Sequence, residues 1–353
     1  MINKYSSGGG DTSNKLKQNP LFKDIKEYNK YLLSLVGILF LVITGVISYN
    51  LTNASYAKWS SSVESKNIIK LSVKEPDYAL DFALANVGQN GLEQITHTID
   101  NTLQVDNKFA TEYRYRGGDS VVKNYVTFNN ETWRIIGVIP TEDTNGNVEN
   151  RFKIVRDTSI GNYAWNTNKT NNWTGATLNT YLNNDYYNTL TSDAKNMIGT
   201  TKYYLGGYSS TEITTDVIWQ YERKNNANRS GYYYGSNPVM QNDANKKIAI
   251  MYASDYGYGA SKECTSNFNN YAVSTNCITT NNWLDKSQNT WLLPQDASDR
   301  GNALLVRSNG SVGTNYPVYR CEHAVRPVLY LSSNVKISGG EGTSGSPYTL
   351  SVK

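Results

Sequence analysis

The most constraining feature of this 353-residue sequence is an uncharged, largely apolar run at residues 31–51. It reads YLLSLVGILFLVITGVISYNL. At about 1.5 Å per residue, a helix of this length matches a bilayer core of about 30 Å. The run also lacks the polar face that a surface helix of a globular domain shows at helical spacing. It therefore predicts a transmembrane helix.

The lysines around this run predict how the protein is oriented. Five of them precede it between positions 15 and 30, whereas only Lys58 and Lys66 follow it closely. The positive-inside rule then predicts a single-pass protein of the cell membrane, with a cytoplasmic N-terminus and an extracellular main domain. Ser55 and Ala57 are small residues that suit a signal-peptidase site. Cleavage after Ala57, which would secrete the protein, stays open as an alternative.

Charge is concentrated at the N-terminus. Residues 1–57 carry six lysines and three acidic residues, so the rest of a sequence with a net charge of +4 has a net charge of +1. A nucleic-acid-binding surface needs a basic face that displaces counterions from phosphates. We therefore expect no nucleic-acid partner. The partners expected are the membrane, through residues 31–51, and an extracellular glycan or protein.

Composition and turn signals predict five segments. Residues 1–30 are polar and resemble a disordered tail, whereas alternating apolar runs and turns from about residue 106 are typical of a folded domain. The predicted segments are a cytoplasmic tail at 1–30, the membrane helix at 31–51, an extracellular spacer at 52–105, a globular domain at 106–335 and a C-terminal β-hairpin at 336–353.

Hydrophobic periodicity predicts an α+β domain with a mostly antiparallel sheet. Leu178, Tyr181, Leu182, Tyr186 and Leu190 recur at steps of three or four, which indicates an amphipathic helix. An Asn-Gly pair within 142–150 and another at 309–310 are typical of hairpin turns. The predicted strands are 125–128, 132–139, 151–157, 217–221, 248–253, 291–294, 303–307 and 325–331.

Five sequence blocks follow one another along the chain. They are WRIIGV at 133–138, TLNTYLNNDYYNTLTSDAKNMI at 177–198, KKIAIMYASDYGY at 246–258, WLLPQDAS at 291–298 and VRPVLYL at 325–331. With this order the sequence resembles an uncharacterised surface-domain family of gut Firmicutes and Mollicutes-like bacteria over about residues 110–335. The resemblance implies a C-type-lectin-like fold rather than a known activity. The stretch ASYAKWSSSVESKNIIKLSV in the spacer is similar to camelysin- and TasA-type matrix proteins.

A lectin-like fold displays irregular loops on a compact sheet, and residues 295–323 fit that role. Tyrosine and arginine supply large contact areas with polar tips, as binding surfaces require. The alternative is an ordinary polar loop region. The candidate ligand-binding residues are Trp283, Gln295, Asp296, Asp299, Arg300, Arg307, Tyr316, Tyr319, Arg320 and Glu322.

The three cysteines predict one disulfide. Cys264 and Cys277 bracket a polar loop, and outside the cytoplasm such a pair is expected to be oxidised. Cys321 is then left over, and it is buried, reactive or paired between chains. Cys321 and His323 lack a third group that would orient the base, so they do not predict a catalytic pair.

No cofactor is expected, and no metal site stands out. Calcium stays an alternative, because Asn282, Asp285, Gln295, Asp296 and Asp299 carry oxygen ligands. The acidic residues are scattered, which predicts that the protein is not an enzyme. The sequence favours a surface-displayed binding or adhesion protein. The alternatives are a structural surface or matrix component and an extracellular hydrolase whose carboxylates meet only in the fold.

Overall fold

The computed structural model describes most of the protein after residue 75. The described residues are 28–39, 41, 60–63, 69–72, 76–100, 105–208, 214–223, 240–274, 277 and 281–353. The protein divides into two compact units, Met1–Pro76 and Asp77–Lys353.

In the first unit, residues 28–39 and 41 are helical and are labelled α1, and two short strands, β1 (Ser60–Val63) and β2 (Ile69–Ser72), pair antiparallel. Residue 40 and residues 42–51 of the expected membrane helix lie outside the described residues. Among the residues that are described, no helix is long and apolar enough to span a membrane.

The second unit is built on a seven-stranded antiparallel sheet, which confirms the expected α+β class. The strands run in the order β10-β14-β7-β6-β4-β3, and β5 pairs with β6. The strands of this sheet are β3 (Leu92–Thr96), β4 (Thr111–Tyr115), β5 (Tyr125–Phe128), β6 (Glu131–Glu142), β7 (Val148–Arg156), β10 (Ile248–Ile250) and β14 (Pro327–Tyr330).

The compact unit begins earlier than the sequence suggested. The segment 52–105 was expected to be a spacer, but it contains helix α2 (Tyr78–Asn86) and β3, which pairs with β4 along its whole length. The helix carries buried alanines at Ala79 and Ala83. The apolar residues of this helix are spread around its axis rather than along one face, so it left a weak periodic signal in the sequence.

The long β6–β7 hairpin forms the middle of the sheet. The expected Asn-Gly turn is present, with Gly146 at a positive φ of 94°. Asp143 closes the turn, because its carboxylate accepts the backbone N–H groups of Asn145 and Asn147 at 2.8 Å each. The turn residues therefore set the register of the two strands.

A helical region lies between β7 and β10. The expected helix at 178–190 is present, although a π-helical turn, Leu182–Tyr186, interrupts it. Thr191 caps the next helix, as its hydroxyl accepts the N–H of Ala194 at 3.2 Å. The α-helices that follow α2 are α3 (Thr177–Tyr181), α4 (Tyr187–Thr189), α5 (Ser192–Met197), α6 (Thr215–Arg223) and α7 (Ala253–Gly259).

The strand expected at 217–221 was wrong, because this segment is part of α6. Its buried residues are Ile218, Trp219, Glu222 and Arg223, which follow helical spacing. Two of them are charged, so the buried face was not recognisable as apolar.

A smaller antiparallel sheet holds β11 (Thr290–Gln295), β12 (Asn302–Val306) and β13 (Val312–Pro317) in sequence order. The expected turn at Asn309-Gly310 connects the last two strands, with Gly310 at φ 82°. Two short pairs complete the unit. They are β8 (Tyr203–Tyr204) with β9 (Met240–Gln241), and β15 (Val335–Gly339) with β16 (Thr349–Val352).

Gly137 allows β4 and β6 to approach closely. It lies opposite Arg114, next to an irregularity in the β6–β7 register at Ile135/Gly137. A Cβ at this position would overlap the carbonyl oxygen of Tyr113, a backbone atom of β4 that cannot move without distorting the strand. Glycine is therefore required here by space.

We expect Gly137→Ala to lower the free energy of unfolding by about 1–3 kcal/mol, the usual cost of forcing an extra methyl group into a packed interior. Denaturant unfolding followed by circular dichroism measures the change. Gly345→Ala is the matched control, because a Cβ there meets no atom within 4 Å. Equal stability of the two variants would contradict the role given to Gly137.

Candidate functional site

The ten candidate ligand-binding residues divide into buried and exposed groups. Trp283, Gln295 and Asp296 are 1%, 2% and 4% exposed. The Trp283 indole N–H donates to the carbonyl of Tyr115 at 2.8 Å, and the Gln295 amide donates to the carbonyl of Leu205 at 3.1 Å. Trp283 and Gln295 thus join distant segments of the fold, and all three side chains offer almost no surface to a ligand.

Arg307 and Tyr316 are half-buried and contact each other. The Arg307 Nε–H donates to the Tyr316 hydroxyl at 2.7 Å, and its Nη1 lies 3.2 Å from the Ser311 hydroxyl. The pair therefore bridges β12 and β13. Such a cross-strand contact stiffens the hairpin that leads to the exposed residues.

The remaining candidates lie on the surface near Tyr319, which is 45% exposed. Two cations lie near its ring: Lys169 Nζ is 5.4 Å and Arg320 Cζ is 5.8 Å from the ring centroid. Arg320 also lies 3.7 Å from the Glu322 carboxylate. We name this region the Tyr319 surface. It comprises Lys169, Asp299, Arg300, Tyr319, Arg320 and Glu322.

The loop between β11 and β12, which carries Asp299 and Arg300, is held through its backbone. The buried Asn171 amide nitrogen lies 2.9–3.0 Å from three carbonyl oxygens, those of Asp296, Asp299 and Asn302. The Asp299 carboxylate accepts the N–H of Gly301 at 2.8 Å. Gly301 in turn accepts the N–H of Val318 at 2.9 Å, which ties this loop to the segment that carries Tyr319. The Tyr319 surface is therefore pre-organised.

The calcium alternative finds no support in the geometry. Asn282 is buried, and its side chain bonds the Tyr256 carbonyl and the Leu284 N–H. Asp296 accepts the N–H and the hydroxyl of Ser298. Within the described ranges, no group of three or more His, Cys, Asp or Glu side chains is placed to hold a metal ion. Calcium stays an alternative to the expectation that the protein has no cofactor.

The predicted disulfide between Cys264 and Cys277 is confirmed, with a Cα–Cα distance of 5.2 Å. It closes a loop with a sequence separation of 13. On the chain-entropy account, a loop of this size contributes about 3 kcal/mol to stability. Cys321 is a free, exposed thiol next to Arg320 and Glu322 of the Tyr319 surface.

A buried network of charges, which the sequence did not suggest, connects the large sheet with α7. Arg114 donates to Glu112 at 2.6 Å and to Asp255 at 2.8 Å, and Lys153 donates to Asp255 at 2.6 Å. All four side chains are fully buried. The only local signal was Glu112-Tyr113-Arg114, which puts two charges on one face of a strand.

The network keeps its carboxylates ionised. Burial alone would raise the pKa of Glu112, but the adjacent Arg114 guanidinium and the His97 hydrogen bond outweigh it and hold that pKa well below its usual range. Burial likewise opposes ionisation of Asp255, while Lys153 and Arg114 lower its pKa. Burial lowers the pKa of Lys153 to about 8, so the amine stays charged at pH 7.

Glu222 of α6 is also buried, but its pKa shifts in the opposite direction from those of Glu112 and Asp255. Its carboxyl group accepts the N–H of Ser254 at 3.0 Å and the Ser254 hydroxyl, while Arg223 Nη1 is 3.4 Å away. Burial dominates and raises the pKa of Glu222 from 4.5 to about 7. Near neutral pH the folded protein therefore binds a proton here that the unfolded protein has released.

This difference predicts a pH dependence of stability. Because the folded-state pKa of Glu222 is raised, its contribution is fully present below pH 4.5 and is lost as the pH rises through about 7. Glutamine can keep both bonds to Ser254 without titrating. We expect the stability of the wild type, relative to Glu222→Gln, to fall between about pH 5 and about pH 8 in denaturant unfolding.

The control is Glu322→Gln, which removes a carboxylate from the exposed pair with Arg320. It should leave the pH profile of the wild type unchanged, since exposed pairs contribute little to stability. Parallel pH profiles for the wild type and Glu222→Gln would contradict the assignment.

The sequence matches one known protein family. Residues 149–333, just over half of the sequence, match the family described as "Domain of unknown function (DUF6273)". The match runs from β7 to the end of the large sheet and includes the Tyr319 surface, Glu222 and the disulfide. No curated protein and no solved structure matches the sequence. The protein therefore belongs to the DUF6273 family, whose defining domain has no known function.

Proposed function

We propose that this protein is a surface-displayed binding or adhesion protein whose Tyr319 surface contacts an extracellular glycan or protein. One observation carries the proposal. An exposed tyrosine lies within cation–π distance of two cations, Lys169 and Arg320, beside a loop whose backbone is held by Asn171.

The energetics of binding favour this arrangement. Tyrosine and arginine are enriched among the residues that dominate binding energy, because they combine a large contact area with polar tips. A loop that is already ordered loses little conformational entropy when a ligand binds. The Asn171 contacts and the Arg307–Tyr316 pair supply that order. The surface therefore has both the side chains and the rigidity that recognition requires.

We further propose that the compact unit is lectin-like in architecture. The proposal is supported by an α+β order in which the helical region precedes a small late sheet, β11–β13, with irregular connections. The loops of that sheet carry most of the candidate residues. This remains an architectural proposal, and no sugar or calcium specificity is taken from it.

Residues 31–51 are proposed to hold this unit at the cell surface. The described apolar side chains of that run are exposed throughout, from 53% at Leu32 to 72% at Leu33. A helix that is apolar all round finds its natural environment in lipid. Retention of the segment displays the domain, whereas cleavage after Ala57 would release it.

A binding screen tests the proposed contact. Purified full-length protein in detergent is applied to glycan and peptide arrays with and without calcium. The affinity of each ligand found is then measured for the wild type and for the double variant Tyr319→Ala, Arg320→Ala. We expect the variant to bind about thirtyfold more weakly, which corresponds to the loss of about 2 kcal/mol at a hot spot.

The matched control is Tyr78→Ala, Lys353→Ala, which removes another tyrosine–lysine pair, 5.7 Å apart, from the same compact unit. The control should bind like the wild type. Equal loss in both variants, or no ligand on either array, would contradict the proposal. Concentration-dependent fibre formation without ligand binding would favour a matrix component instead.

Anchoring has a separate test. Leu39→Lys with Leu41→Lys places two charges near the middle of the apolar run, and each costs about 2.5–3.5 kcal/mol at the centre of a membrane helix. We expect this variant to lose retention in the membrane fraction after an alkaline wash, where the wild type remains. Leu84→Lys, at an exposed apolar residue of α2, is the control.

Release of the wild type by the same wash would contradict anchoring. If the wild type is found in the medium and its N-terminal sequence starts at Lys58, the secreted alternative is correct.

A further inference from the structure

The compact unit contains a cleft that is distinct from the Tyr319 surface. It consists of two adjoining hollows of about 390 Å³ and 410 Å³, and Arg116 and Lys262 line both of them. These volumes lie within the usual range of small-molecule sites. We name it the Arg116 cleft and define it by Thr96, Arg116, Thr215, Asp216, Tyr258 and Lys262.

Threonine and serine make up almost half of the residues that line the first hollow. Thr96, Thr214, Thr215, Thr265 and Ser266 are five of the eleven described residues that line it. A hydroxyl can both donate and accept a hydrogen bond. This wall therefore complements a ligand that itself carries several hydroxyl groups.

A buried series of hydrogen bonds positions a carboxylate of the first hollow. Tyr258 donates to Asp216, and the Tyr258 oxygen lies 3.2 Å from His97 Nδ1. His97 Nε2 lies 2.9 Å from the buried Glu112 carboxylate, and its ring stacks on Trp219 at 3.6 Å. Each partner is fixed by the next one.

The Asp216 carboxylate is nevertheless open to solvent, with 73% of its side chain exposed. His97, whose Nδ1 lies 3.7 Å from the Asp216 carboxylate, and after it the hydrogen bond from Tyr258 lower the pKa of Asp216 in spite of partial burial. Asp216 is therefore an ionised acceptor of fixed position, which is the group that adjacent hydroxyls of a ligand bind best.

Positive and negative side chains both line the cleft. Arg116 donates to the carbonyls of Ala260 and Ser261 at 3.2 Å, and Lys262 is 65% exposed. Glu93 lies 3.8 Å from the Arg116 guanidinium and 3.9 Å from Lys262 Nζ. Both cations thus lie near Glu93, while Asp216 lines the first hollow and Glu263 the second. A neutral ligand that both donates and accepts suits this balance better than an anion.

The disulfide fixes the outer wall. Cys264 lines the first hollow, and Thr265 and Ser266 follow it directly in the sequence. The bond to Cys277 limits the movement of this segment, so the hydroxyl groups of the wall stay in place when the cleft is empty.

We propose that the Arg116 cleft binds a neutral sugar ring, either as a free monosaccharide or as one unit of a glycan. Asp216 accepts two adjacent hydroxyls, Lys262 donates to a ring or hydroxyl oxygen, and the threonine and serine hydroxyls complete the contacts. The site is independent of the Tyr319 surface and does not rest on the function proposed for it.

The test uses the full-length protein with D-glucose, D-galactose, D-mannose and N-acetyl-D-glucosamine as neutral probes and D-glucuronate as an anionic one. Saturation-transfer NMR detects binding, and calorimetry gives the affinity. We expect at least one neutral sugar to bind with a Kd on the order of 1 mM and more tightly than glucuronate. Asp216→Asn should weaken that binding about tenfold, the lower end for a charged hydrogen bond.

Lys262→Gln and Thr265→Val are further variants at exposed positions of the cleft, and each should weaken binding about threefold. Lys353→Gln, at an exposed lysine outside both surfaces, is the control and should leave sugar binding unchanged. The far-ultraviolet spectrum of each variant confirms that it is folded.

Three results would overturn the proposal. They are no binding of any neutral probe at about 20 mM, tighter binding of glucuronate than of every neutral sugar, and unchanged affinity in all three cleft variants. If the variant Tyr319→Ala, Arg320→Ala loses sugar binding while the three cleft variants keep it, the sugar binds at the Tyr319 surface and the cleft proposal is rejected.

Discussion

Arg114 is the residue on which the interior of the compact unit depends. It joins Glu112 on its own strand to Asp255 of α7, and Asp255 joins Lys153 of the neighbouring sheet region. Removing one member of such a buried set leaves an uncompensated charge and costs about 3–5 kcal/mol. Asp255 also accepts the N–H of Tyr252 at the start of α7. The network therefore fixes where this helix begins and how it lies on the sheet.

Local features of the fold could be predicted from the sequence because their causes are local. The Asn145-Gly146 turn and the Gly310 turn each depend on residues a few positions apart. The prediction of a strand at 217–221 was wrong because the burial of Glu222 and Arg223 is decided by partners far along the sequence. The contact of Glu112 with His97 and that of Arg114 with Asp255, separated by 15 and 141 residues, left no pattern in the sequence.

The candidate site was predictable in region but not residue by residue. The segment 295–323 does carry exposed Asp299, Tyr319, Arg320 and Glu322 on an ordered framework. Polarity alone could not separate them from Gln295, whose amide is buried against the Leu205 carbonyl. Asp216 of the Arg116 cleft was missed because nothing in its local sequence marks it as a site residue. Its position is set by His97, in the connection between β3 and β4, and by Tyr258 of α7. Only the tertiary structure brings these segments together.

The three carbonyl contacts of Asn171 have a consequence for how this surface can change over time. They hold the loop between Gln295 and Asn302 by main-chain atoms, which every amino acid supplies. The shape of the loop is thereby largely independent of the identity of residues such as Arg300. Exposed side chains can then be exchanged at small cost to stability, so new specificities can arise on an unchanged frame. Asn171 itself, buried and outside the loop, is the position at which such exchange would not be tolerated.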